Sequence, residues 1–151
     1  MTKVLHLANY AFEVPAAIET RLEEDDTILV VEVPGLGGQV LCGEHDCAIA
    51  ESAEELDRLL RDEALRFLDC ILKVRSEGVV GSSVEGGEES PLRYASIVVS
   101  LDAESTWVAR LYGQVGLPSI VLVHWNGPSE RVLSQILPLV CGVRPIDHKS
   151  V

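Results

Sequence analysis

The chain has 151 residues, 47% hydrophobic and 24% charged, with 24 acidic against 12 basic side chains and a net charge of −12. That length suits one domain, residues 1–151, and the balance is that of a folded chain and not a disordered one. The acidity repels polyanions, so the expected partners are proteins or small molecules; no nucleic acid and no membrane partner is expected.

Every apolar run falls well short of the ~20 residues of a membrane span. Met1-Thr-Lys-Val-Leu-His6 lacks the apolar segment of a secretion signal. A cytoplasmic location is expected. Cys42, Cys47, Cys70 and Cys141 then read as reduced thiols packed mostly as small hydrophobes, since a chain this long needs no staples.

Lys3 to Val14 mixes alternation with β-formers until Pro15 breaks the ladder, and Ala16 to Leu22 can form a second strand. Glu23-Glu-Asp-Asp26 reads as a hairpin turn; adjacent carboxylates cannot all converge on one cation. Thr27-Ile-Leu-Val-Val-Glu-Val33 is the clearest strand of the first half, and Gln39 to Glu44 returns antiparallel after a glycine turn. The glycines at 35, 37 and 38 do not fit G-x-G-x-x-G, so a nucleotide loop is not implied. Cys42-Gly-Glu-His-Asp-Cys47 brackets His45, but no second Cys/His pair lies close enough to complete a zinc site.

Ser52-Ala-Glu-Glu55 is a capping box, and Leu56, Leu59, Leu60, Ala64, Phe67, Leu68, Ile71 and Leu72 follow at three-to-four spacing. One long amphipathic helix is predicted there, its stripe on the sheet. Residues 76–91 are rich in Gly, Ser and Glu without a period, and read as a flexible surface loop.

Arg93 to Leu101 and Ser119 to Trp125 are β-branched and apolar, and are predicted as strands at the centre of the sheet. Between them Asp102 is placed as a cap for a helix whose Trp107, Val108, Leu111, Tyr112 and Val115 share one face, with Gly116 as its left-handed stop. A last helix is predicted from Pro128 through Val140, interrupted at Pro138, and the tail 144–151 is read as loose.

The histidines are His6, His45, His124 and His148. No G-x-S-x-G, H-E-x-x-H or P-loop accompanies them, so no catalytic, cofactor-binding or metal residue is assigned and no enzyme is expected. The fold expected is α+β, a mostly antiparallel sheet of five to six strands with helices packed on it.

Two resemblances bear on function. Ser100 to Gly127, with Tyr112-Gly113 ahead of Pro118 and then Asn126-Gly127, resembles the second half of a thioredoxin. A thioredoxin-like module is implied, without redox activity because no C-x-x-C exists here. Thr27 to Glu44 and Ser119 to Cys141 resemble the small proteasome assembly chaperones, particularly the third member. That likeness implies a non-enzymatic chaperone which pairs with a related small subunit as a dimer and steadies proteasome α subunits. A small enzyme of unknown class is the remaining alternative.

Overall fold

The computed structural model describes residues 1–25, 27–33, 38–74, 81–89, 91–100, 106–126 and 143–146. Among them run β1 (Thr2–His6), β2 (Tyr10–Pro15), β3 (Thr20–Glu23), β4 (Ile28–Val33), β5 (Gly38–Asp46), α1 (Ala53–Val74), β6 (Gly81–Glu89), β7 (Leu92–Ser100), β8 (Thr106–Gly113), β9 (Ser119–Asn126) and β10 (Arg144–Pro145).

Successive side chains of a strand point to opposite faces. In β9, Val121 and Val123 enter one buried cluster while Ile120 and Leu122 enter another, so this strand is covered on both sides. It accordingly lies at the middle of a seven-stranded sheet, ordered β3-β4-β5-β9-β8-β7-β6, in which every pairing is antiparallel. A smaller sheet, β1-β2-β10, stacks Tyr10, Phe12 and Val14 of β2 against Leu29 and Val31 of β4, Val40 and Cys42 of β5 and the β9 valines. On the other face α1 lays Leu56, Leu60, Ala64 and Leu68 against Ala95, Ile97 and Val99 of β7, Ala109 and Leu111 of β8 and the β9 pair. Each leucine so buried contributes ~1.5–3 kcal/mol.

The helix begins where its capping box predicts. Ser52 Oγ accepts from the Glu55 amide at 3.2 Å, and Glu55 Oε2 accepts from the Glu51 amide at 2.8 Å. Glu54 and Glu55 in the first turn and Lys73 in the last both complement the helix dipole. It approaches β8 closely because Gly113 has no side chain: a Cβ there would come within 3.0 Å of Leu56 Cδ1.

The architecture is thus α+β, with more strands than the five to six expected and a single helix among the described residues. Four further expectations are corrected. The Lys3–Val14 run is split at Leu7–Asn9, where the Leu7 amide donates to the Tyr10 carbonyl at 2.9 Å, into the hairpin β1-β2.

Residues 106–113, expected within a helix, form β8. Trp107, Ala109 and Leu111 face α1 while Val108 and Tyr112 face away, and burial of both sides blurs the alternation into a run that also fits a helix. Gly116 does take the left-handed φ of +89° assigned to it, but in the β8–β9 connection.

Residues 81–89 of the expected loop pair over their whole length with β7 as β6, a case of tertiary pairing overriding weak intrinsic preference. Arg144 and Pro145 of the expected loose tail pair with Ala11 and Tyr10, and the Ile146 amide donates to the Asn9 carbonyl at 2.9 Å. The predicted Pro128–Val140 helix lies outside the described residues.

A hairpin turn joins β3 to β4 as expected: Glu24 and Asp25 take φ of 52° and 57°, the left-handed conformation that matches a tight hairpin to strand twist.

Candidate functional site

Where α1 crosses the outer strands it leaves a cleft of about 410 Å³. Asp57 and Arg61 come from the helix, Val84, Gly86 and Glu88 from β6, and Arg93 and Ala95 from β7. The period of α1 places Asp57 and Arg61 one turn apart on the flank beside β6. The pleat of β7 turns Arg93 to the same side as Ala95 and Ile97, toward the helix.

Arg93 spans this cleft. Its Nε and Nη2 donate to Asp57 Oδ1 and Oδ2 at 2.6 and 2.8 Å, a bidentate pair, and its Nη1 stands 3.4 Å from Glu88 Oε2. The hydrogen bond to Asp57 is the main cause raising the guanidinium pKa, with the Asp57 and Glu88 charges adding to it. Among the described residues the lining holds no cysteine, serine or histidine. Carboxylates committed to a guanidinium are poor general bases, so the arrangement fits binding better than bond-making.

A second hollow of about 210 Å³ gathers His45, Asp46, Glu63, Arg66 and Cys70 beside Phe67. His124 is not among its walls; its ring lies 6.4 Å from Phe67 and 6.1 Å from Trp107. Burial lowers the His124 pKa, so the imidazole is held neutral. His6 is exposed on β1, and His148 and Cys141 lie outside the described residues. Among the described residues no group of three or more His, Cys, Asp or Glu side chains could hold a metal ion.

Cys42 and Cys47 lie on opposite sides of the sheet. Cys42 is buried under the small sheet, where desolvation pushes its pKa far up. Cys47 packs against the helix-side cluster, and desolvation first, then the charges of Glu63 and Asp46, raise its pKa. Cys70, expected to pack as a hydrophobe, is exposed on α1 because its position falls off the buried stripe.

Sequence reasoning missed the polar joint between the two sheets. Asn9 Nδ2 donates to Glu44 Oε2 at 2.7 Å and to Ser119 Oγ at 2.9 Å, the Asn9 amide reaches Glu44 Oε1 at 3.2 Å, and the Ser119 hydroxyl donates to Glu44. Tyr10 donates its hydroxyl to the Ser119 carbonyl, and desolvation raises its pKa. Asn in a tight turn was a signal for Asn9; nothing local marks Glu44 as its partner, 35 residues away.

The elements define an α+β fold with a helix on one face of an antiparallel sheet and a small sheet on the other. No family model matches the chain, and no curated protein matches it. Among solved structures it is similar to the solution structure of cyanobacterial PsbP (CyanoP) from Synechocystis sp. PCC 6803, with a TM-score of 0.63 over 96% of this chain and 92% of that one, at 10% identity. The likeness is one of fold.

The thioredoxin-like order is not observed. It needs a helix between the Arg93 and Ser119 strands, whereas β8 lies there and pairs antiparallel with both. No helix among the described residues is long and apolar enough to cross a membrane.

Proposed function

We propose that this chain is a non-enzymatic protein-binding module, acting in a dimer as an assembly chaperone in the cytoplasm. The observation that carries the binding part is the cleft between α1 and β6, open beside a strand that pairs on one side only among the described residues. Its charged groups are arranged for recognition, and among the described residues its walls carry no cysteine, serine or histidine for a hydrolytic or transfer site.

The particular role follows from the sequence likeness of Thr27–Glu44 and Ser119–Cys141 to proteasome assembly chaperones. The partners are then a related small subunit and proteasome α subunits. The full chain, tagged and expressed in its source cell, is purified and its companions quantified by mass spectrometry, with its own size measured by sedimentation. Stoichiometric recovery of a small related subunit and α subunits is the expected result; a monomer that retains neither overturns the chaperone role.

A further inference from the structure

We propose that the outer edge of β6 receives an extended basic segment of a partner protein as an added strand. This rests on the protein-binding reading above and specifies its ligand.

Strand β6 is nine residues long and pairs without interruption from Gly81↔Ser100 to Glu89↔Leu92. In an antiparallel ladder the backbone N–H and C=O groups of alternate residues point away from the partner, so β6 offers a row of donors and acceptors along the side that no strand among the described residues pairs with. Residues 81–83, 85, 86 and 88 are exposed, so that row is reachable.

Open edges of this length invite pairing, and proteins blunt them by shortening or charging them. The opposite edge of the same sheet is blunted in both ways: β3 has four residues, and its Arg21 is ion-paired to Glu23 and Glu32. The guard on β6 is of one sign. Glu85 has no ion-pair partner among the described residues, and Glu88 is largely exposed beyond its contact with Arg93. Like charges facing across a strand pair repel and opposite charges attract, so a second copy of β6 is rejected and a lysine- or arginine-bearing strand is favoured.

The glycines add an independent observation. A Cβ at Gly81 would meet nothing within 4 Å, and one at Gly86 only the Tyr94 carbonyl at 3.9 Å. Internal packing therefore does not demand glycine at either position, although glycine weakens a strand, and both leave room for the close approach of an outside backbone. On the helix-facing side Arg93 already pairs with Asp57 and Glu88, so the selection for basic residues rests on Glu85 and the exposed side of Glu88. This is strand addition, with main-chain bonds for affinity and flanking side chains for selection.

The probe is an acetylated, amidated peptide of about ten residues alternating lysine and valine, titrated into the full chain with amide hydrogen exchange as readout. Saturable binding should slow exchange about tenfold at alternate amides of Gly81–Glu89. Methylating alternate peptide nitrogens, or replacing lysine by glutamate, should abolish the effect. The E85K/E88K double variant, changed only at exposed positions and checked for an unaltered thermal midpoint, should bind about tenfold more weakly.

Absence of saturable binding, protection elsewhere with β6 unaffected, or equal binding of the methylated peptide would each overturn strand addition. Should E85K/E88K still recover the companions of the native chain in full, protein binding stands and this edge is not its site. Peptide binding at β6 with no companions recovered would leave strand addition standing and remove the chaperone role.

Discussion

Gly87 lies under the ring of Tyr94: a Cβ on it would fall 2.2 Å from the ring Cζ and 2.3 Å from the phenolic oxygen. The two residues are cross-strand partners on β6 and β7, so the ring fills the space that the glycine leaves, an arrangement that restores packing to a weak strand. Arg110 also packs on the ring, its guanidinium carbon 4.2 Å from the ring centre, and the Tyr112 ring lies 5.9 Å away. Replacing Gly87 by alanine should destabilise the protein by about 1–3 kcal/mol, because the ring must leave a position fixed by both neighbours. In a Tyr94→Leu background the same change should cost much less. Urea unfolding of the four proteins gives the coupling; equal costs in the two backgrounds would show that ring and glycine do not constrain each other.

This pair also explains why the sequence reads so differently on either side of residue 75. The α1 stripe, its capping box and the β4-β5 hairpin are local patterns: each is specified by residues within a few turns or a single hairpin, and each is found where it is predicted. The central place of β9 is legible for the same reason, through its unbroken apolar run. By contrast, β6 is a strand because β7 is beside it and Tyr94 caps its glycine, neither of which a Gly/Ser/Glu composition announces.

In β8, Trp107, Val108, Leu111 and Tyr112 satisfy helical spacing and strand alternation alike, and only the two covering layers decide between them. The candidate cleft was illegible because Asp57 and Arg93, 36 positions apart, meet only after the sheet has formed. The Arg110 contact with Tyr94 is hidden for the same reason, since it depends on β8 being a strand beside β7.

The cysteines differ enough in surroundings to be told apart chemically. A thiol reacts as its thiolate, so burial that raises the pKa and blocks access protects it twice over. Cys70 is exposed on α1, Cys47 is half-buried with a raised pKa, and Cys42 is fully buried with its pKa raised furthest. Brief treatment of the native protein with iodoacetamide, followed by peptide mass spectrometry, should label Cys70 first, Cys47 more slowly, and Cys42 only once denaturant opens the core. Labelling of Cys42 at a rate close to that of Cys70 in native conditions would mean that the small sheet separates readily from the large one.

His124 should make the fold sensitive to mild acid. Its ring is packed among Phe67 and Trp107, and its Nδ1 has no hydrogen-bond partner among the described residues, so the charged form finds no compensation. Desolvation therefore holds its folded-state pKa below the ordinary value of about 6.5. As pH falls past that ordinary value, the unfolded chain takes up a proton that the folded chain does not yet bind, and stability drops until the lowered folded value is passed. The contribution is thus whole above about pH 6.5 and lost below it, the direction expected of an imidazole buried neutral.

Replacing His124 by phenylalanine keeps an aromatic ring in the cluster and removes the titration. Between about pH 7.5 and about pH 5 the native protein should lose more stability in urea than His124→Phe, whatever the remaining titrating groups contribute to both. Parallel losses in the two proteins would mean that the imidazole takes up its proton in the folded state as easily as in the unfolded one, and that the aromatic cluster opens to water around it.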